Sequence, residues 1–310
     1  MQNLSPAKAL YIKLGEGGKW ERECLEEAQT LRLDYRNVPH DLCLDGNWDG
    51  VIGHLVSEGS KHGAAKRHQV QIRAFYEAPQ DVLWITFFAN KLWWCFSKPE
   101  ITRLSDRTTT RPVIDQWSSV DIAGQTLDFA RLSGKLTKTQ GFQGTICEIH
   151  GSEFRYLIDK VNGVYPPDVL RAKSARSKLG AALEVLMGNL HPKDFELLTD
   201  MIFREAGWRR VGEVGGTQKT LDLDLEAPVT RERYGVQIKA EADLQTFEKY
   251  CQDFALMDSF KRFYFVVHSP RPDLMNANRE NGNVELLRPP ELADLVVRYG
   301  LVDWLIQKAG

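Results

Sequence analysis

The sequence predicts an α/β C-terminal domain, with a central mixed sheet flanked by helices, behind a separate β-rich N-terminal domain able to close as a barrel. Three observations carry this expectation. The last 120 residues alternate helical and extended patterns, and their run Phe263-Tyr264-Phe265-Val266-Val267 reads as a strand buried on both faces. The first 150 residues hold extended runs rich in β-branched and aromatic residues. Between them Gly163-Val164-Tyr165-Pro166-Pro167 places two prolines in succession, which discourages regular structure and marks a junction. A chain of 310 residues, at roughly 150 per domain, has room for two cores.

In the N-terminal part, residues 1–150, a Glu-rich start and good helix formers predict a helix over 20–30. The runs 82–89 and 92–96, separated by Asn90-Lys91, predict a hairpin with a two-residue turn. Residues 68–76 and 145–149 add two further strand-like runs. Residues 151–190 form a connecting region. From Asp168 onward Leu170, Leu179, Leu183 and Leu186 recur at mostly helical intervals, so a linker helix with an apolar stripe and a basic face is expected. This region is the only net basic one, with six basic against four acidic residues.

The C-terminal part, residues 191–310, begins a helix at Pro192, with Phe195, Leu198, Thr199, Ile202 and Phe203 on one face and a stop at Gly207. Strict alternation over 220–226 sets Leu221, Leu223 and Leu225 against Asp222, Asp224 and Glu226. A second strand over 234–240 turns Val236 and Ile238 to the core and Gln237 and Lys239 the other way. An amphipathic helix over 247–260, the apolar strand over 262–268, a strand over 284–287 and a C-terminal helix through Trp304 complete the pattern.

Composition excludes several classes. No apolar run reaches the roughly 20 residues that span a bilayer, and no charged-then-apolar N-terminal segment signals export. Five cysteines, odd in number and widely spaced with no CxxC pair, suit free thiols in a reducing, cytoplasmic setting. The cluster of Cys24, His40, Cys43 and His54 matches no standard zinc-finger spacing. A net charge of -2 leaves nucleic-acid binding to local patches.

Chemistry concentrates where Asp222 and Gln237-Ile238-Lys239 fall on two strands that can pair. Asp222, Gln237 and Lys239 then project to one side of the sheet, bringing together a carboxylate, an amide oxygen and an ammonium. Mg2+, or Mn2+ in its place, wants oxygen ligands, and Asp222, the amide of Gln237 and the carbonyl of Ile238 supply that type. Lys239 would position water and offset charge developing on a phosphoryl group. Glu196, on the first helix, ranks above Asp224 as a further acid, and parity leaves open whether Asp222 or Asp224 is the main ligand. Set against this is a solvated strand face in which Lys239 and Asp222 form only a cross-strand ion pair.

The segments Lys193-Asp194-Phe195-Glu196, Gly207-Trp208, Gly215-Gly216-Thr217-Gln218-Lys219-Thr220-Leu221-Asp222 and Val236-Gln237-Ile238-Lys239 resemble the Mrr-like restriction endonucleases of the PD-(D/E)xK nuclease superfamily. The resemblance covers about residues 191–300 and implies a restriction-endonuclease-like fold. It further implies a metal-dependent DNA endonuclease of restriction or phage-defence type, with Asp222, Gln237 and Lys239 on the sheet and Glu196 as the helical acid. Cutting both strands needs two active sites, so a homodimer is expected. A non-cleaving nucleic-acid sensor, or a nuclease of repair or RNA processing, is the competing expectation.

For contact with DNA phosphates the candidates are Lys61, Lys66, Arg67 and Arg73, then Arg171, Lys173, Arg176 and Lys178 on the linker helix, and Lys219. Six of the eight tryptophans, Trp20, Trp48, Trp84, Trp93, Trp94 and Trp117, lie in the N-terminal part. They fill core, or two or three of them stack on a base, modified or flipped. This half is loosely similar to PUA-like or EVE-like readers, which would make modified DNA the partner.

Overall fold

The computed structural model describes residues 3–211, 221–278 and 280–310. The chain is mixed α/β and divides into two compact units, Met1–Pro166 and Pro167–Gly310.

The first unit contains strands β1 (Lys8–Ile12), β2 (Thr30–Leu33), β3 (Val82–Phe88), β4 (Lys91–Ser97), β5 (Thr102–Arg103), β6 (Thr109–Ser118) and β7 (Ile146–Ile149). Its helices are α1 (His40–Leu44), α2 (Trp48–Ser57), α3 (His62–Glu77), α4 (Gly134–Thr137) and α5 (Gly151–Val161). The sheet runs β2-β6-β4-β3-β1-β7, with β5 on β6, and only β1 and β3 are parallel. The end strands β2 and β7 are not paired to each other, so the path is open and the expected barrel closure is not seen among the described residues.

Burial explains the long apolar runs. Leu10, Ile12, Val82 and Trp84 pack with Val51, Leu55, Ile72 and Phe75 of α2 and α3, whereas Ala9, Tyr11, Leu83 and Ile85 pack with Leu136, Leu157 and Val161 of α4 and α5. Helices therefore cover both faces of β1 and β3, and alternation disappears from those strands. The expected strand over 68–76 is instead the middle of α3. Val70, Ile72, Ala74 and Tyr76 imitate a two-residue period, but Ala65, Gln69, Ile72 and Phe75 are buried at helical spacing. The hairpin turn is Ala89-Asn90, with φ of 49° and 58°, one residue earlier than expected.

A buried charge ties this unit together. Arg32 donates from Nε to Thr108 Oγ1 at 3.0 Å, from Nη1 to Glu23 Oε1 at 2.8 Å and from Nη2 to Asp106 Oδ2 at 2.8 Å, with its guanidinium 4.2 Å from the centroid of Trp20. The Thr108 hydroxyl and amide, together with Arg32, hold the Asp106 carboxyl down at about 2. An acid group depressed on folding adds stability above its unfolded value, 3.8 for Asp106, and loses it as pH falls toward the folded one. Urea midpoints are accordingly expected to drop between pH 4 and pH 2, and Asp106→Asn is expected to flatten that drop. Equal acid sensitivity in the two proteins would count against the cluster.

The second unit contains α6 (Pro167–Gly188), α7 (Pro192–Glu205), β8 (Arg209–Arg210), β9 (Leu223–Glu226), β10 (Arg233–Ala242), α8 (Leu244–Ala255), β11 (Arg262–Pro270), α9 (Pro272–Met275), β12 (Glu280–Asn281), β13 (Val284–Leu287), α10 (Pro289–Arg298) and α11 (Val302–Ala309). Its sheet runs β12-β13-β11-β10-β9-β8. β10, β11 and β13 are parallel, and β8, β9 and β12 pair antiparallel at the two edges. Leu223, Leu225, Val236, Ile238 and Val266 share a core with α6, α7, α10 and α11, while Phe263, Phe265 and Val267 share another with Phe247 and Phe254 of α8.

Three local expectations change. α6 buries only Leu183 and Met187, and Leu170 is 51% exposed, so its apolar stripe is confined to the C-terminal half. Leu221 packs with the α8 side rather than with Leu223 and Leu225, because the regular strand starts only at Leu223. The C-terminal helix is two helices, broken at Gly300 with φ of 72°. No helix among the described residues is long and apolar enough to cross a membrane.

Candidate functional site

The register Leu223↔Val236 and Asp224↔Gly235 brings Asp222 level with Gln237 at the point where β9 begins. The Asp222 backbone N–H donates to the Val236 carbonyl at 2.9 Å. Its side chain then takes over where the neighbouring strand's backbone is no longer in place. Asp222 Oδ2 accepts the Ile238 backbone N–H at 2.6 Å and an N–H of the Gln237 amide. The same amide nitrogen lies 3.4 Å from the Ile238 carbonyl oxygen. A nitrogen thus stands between two oxygens, in the kind of position a cation prefers.

Gln237 is 4% exposed, so this amide is held within the protein. Gly235 supports the arrangement by its lack of a side chain, since a Cβ there would come within 2.6 Å of the Phe263 ring and 3.0 Å of Leu221. Lys239 lies two residues further on the same face of β10, where its Nζ stands 5.3 Å from the Tyr250 ring centroid of α8. The cross-strand ion pair between Lys239 and Asp222 is not formed. Asp224 is engaged separately, its two oxygens accepting from the Arg233 guanidinium, so Asp222 is the carboxylate that meets Gln237.

Glu196 is not brought to this group. It is exposed on α7, whose buried residues Phe195, Leu198, Ile202 and Phe203 pack with Val236 and Ile238 on the opposite face of the sheet from Gln237 and Lys239. The other acids of α7 meet cations, Asp194 with Lys308 at 3.1 Å and Asp200 with Arg210 at 3.7 Å. On that same face His268 is buried and its Nε2 has no partner, while Nδ1 meets Ser269 Oγ at 2.8 Å and burial lowers its pKa. Its place at the end of an apolar run gave no sign of this.

The basic candidates separate into two groups. Lys66, Arg67 and Arg73 lie along the exposed side of α3, and Lys61 caps its start. Arg73 is ion-paired with Glu77 at 2.6 Å and stands 5.9 Å from the Trp48 ring centroid. On α6, Arg171 pairs with Asp168, Arg176 pairs with Asp294 of α10 at 3.2 Å, and Lys173 and Lys178 are exposed. Lys219 and the glycine-rich lead-in at 215–220 lie outside the described residues. Trp20, Trp84 and Trp117 are core, and the indole N–H groups of Trp48, Trp93 and Trp94 donate to Glu77, Phe88 and Val120.

Among the described residues no three His, Cys, Asp or Glu side chains cluster as metal ligands, and the five cysteines are free thiols. The Asp222 group has another composition, one carboxylate with an amide and a backbone carbonyl. Turning the Gln237 amide over exchanges its nitrogen for oxygen, leaving three oxygens around one point, a donor set suited to a hard divalent cation. No known protein family, curated protein or solved structure matches the chain.

Proposed function

We propose that the Pro167–Gly310 unit is a restriction-endonuclease-like domain that hydrolyses DNA phosphodiester bonds with Mg2+, or Mn2+ in its place. The N-terminal unit selects the DNA, modified or not, and the activity belongs to restriction or phage defence in the cytoplasm, with a homodimer to cut both strands. The observation that carries this reading is the meeting of Asp222 Oδ2, the Gln237 amide and the Ile238 carbonyl at one point of the sheet, with Lys239 on the same face. A bound divalent ion would polarise the phosphate and lower the pKa of a water.

The chain's own residues do the rest. Asp222 contributes the negative oxygen, and its hydrogen bond from the Ile238 N–H fixes that oxygen in place. Gln237 turns its amide oxygen inward, giving up the hydrogen bond to Asp222. Lys239 leaves the Tyr250 ring, orients water and offsets charge on the phosphoryl oxygens. With a single carboxylate in the group, ion affinity depends strongly on the bound phosphate, which supplies further negative oxygens. Repair or RNA-processing chemistry would use the same group and differ in substrate.

A non-cleaving nucleic-acid sensor has its own support. Asp222 already accepts two N–H groups and Lys239 rests on an aromatic ring, an arrangement stable without an ion. Incubating the chain with Mg2+ or Mn2+ and unmodified, methylated and hydroxymethylated duplexes, alongside RNA, separates the readings. Cleavage that falls by about a hundredfold or more in Lys239→Ala is the expected result. Binding without cutting on every substrate would favour the sensor.

A further inference from the structure

A cavity of about 450 Å³ opens in the first unit at the carboxyl ends of the parallel strands β1 and β3, and the hydrolytic reading does not use it. Such strand ends are where open α/β sheets place ligands, because the loops leaving neighbouring strands part there. Tyr11, Phe87 and Phe129 form an aromatic wall, with ring centroids 5.9 Å apart for Tyr11 and Phe87 and 5.3 Å apart for Phe87 and Phe129. Phe129 is held there by its backbone N–H, which donates to the Asn90 carbonyl at 2.8 Å.

The polar side of the cavity is built by the loop after β1. Gly18, with φ of 77°, has no room for a side chain, because a Cβ would come within 2.6 Å of the Glu21 carboxylate. This close approach sets Glu21 in the cavity lining, and burial alone lifts its carboxyl to about 6. A carboxylate desolvated in this way gains most from N–H donors that a ligand brings. Lys13 lines this cavity and also a second one, of about 380 Å³, bounded by the same glycine loop.

We propose that this cavity binds a nucleobase, with the ring against Tyr11, Phe87 and Phe129 and an edge bearing adjacent N–H donors, as guanine has, on Glu21. Aromatic planes accept a base face without regard to sequence, and a carboxylate accepts paired N–H groups. The volume falls in the range of small-molecule sites. Lys13, between the two cavities, suits the phosphate of the same nucleotide. A free nucleotide and a base extruded from DNA share this chemistry. The assignment rests on the recognition half of the reading above and is independent of Asp222, Gln237 and Lys239.

Calorimetric titration of the full chain with GMP, and separately with a duplex holding guanine opposite an abasic site, tests it, with adenine versions of both as controls. Guanine probes are expected to bind in preference to adenine, and Glu21→Gln is expected to remove that preference by about tenfold or more. Asn90→Gly keeps the left-handed turn and is expected to weaken binding as well. Saturation by GMP identifies a free nucleotide, and binding of the duplex alone identifies an extruded base. Either supports the site. No binding of either guanine probe at millimolar concentration, or equal affinities for wild type and a Glu21→Gln protein of unchanged melting temperature, overturns it. Guanine binding that persists in Lys239→Ala, without cleavage by the wild type, separates this site from the hydrolytic one.

Discussion

Asp222→Asn is expected to lower metal-dependent cleavage by about 100- to 1,000-fold while leaving the unfolding midpoint close to that of the wild type. Asparagine keeps the acceptor oxygen at this position, so the Ile238 N–H retains its partner and β10 keeps its edge. What disappears is the one negative charge in the group formed by Asp222, Gln237 and Ile238. A hard cation held by one carboxylate and two neutral oxygens loses most of its attraction when the carboxylate becomes an amide. Single-turnover cleavage rates over a Mg2+ titration, with urea unfolding of the same preparations, measure both quantities. Asp224→Asn supplies the contrast, because it removes a charge from the Arg233 pair and is expected to affect stability more than cleavage. If the Asp222 variant cuts at the wild-type rate, Asp222 only caps the strand ladder and the hydrolytic reading fails. If it unfolds instead, comparison with Lys239→Ala still tests the chemistry.

How far this group can be read from sequence depends on the kind of information each residue needs. Gln237 and Lys239 share a face because strand periodicity is two, and the meeting of Asp222 with Gln237 follows from a local antiparallel pairing. Choosing between Asp222 and Asp224 required Arg233, whose guanidinium takes Asp224, and no spacing rule contains that choice. Glu196 depended on which face of the sheet α7 covers, a tertiary fact set by where Phe195, Leu198 and Ile202 find their core.

The first unit was harder to read for related reasons. Its sheet is covered on both faces, so β1 and β3 lose the alternation that identifies strands, while α3 carries an accidental alternation that imitates one. The nucleobase cavity joins Tyr11 to Phe87 across 76 positions of sequence through a parallel pairing. Only the glycines at 15, 17 and 18 hinted that the chain turns sharply there.

Arg111→Met is expected to destabilise the first unit by about 3–5 kcal/mol. Arg111 is 0% exposed, and no carboxylate accepts from it. Three backbone carbonyls hold its guanidinium instead: Lys98 at 3.0 Å from Nε, Phe75 at 2.5 Å from Nη1 and Ala78 at 2.7 Å from Nη2. Phe75 and Ala78 belong to the C-terminal end of α3, where carbonyls lack helical partners and the helix dipole is negative. The buried cation is therefore the cap of α3, and it joins that helix to β6. Burial lowers its pKa to about 10, which still leaves it charged at neutral pH. Methionine matches much of the apolar length and provides no donor, so three carbonyls lose their partner in a place that water does not reach. Lysine keeps the charge but cannot spread it over three acceptors in one plane, and Arg111→Lys is expected to fall between the two. For a unit of this size the methionine variant should melt roughly 10–15 °C lower. Amide exchange would show the loss first in the last turn of α3, ahead of β1 and β3. A methionine variant with unchanged stability would mean that water or a rearranged strand satisfies those carbonyls, and that Arg111 is not the link between helix and sheet.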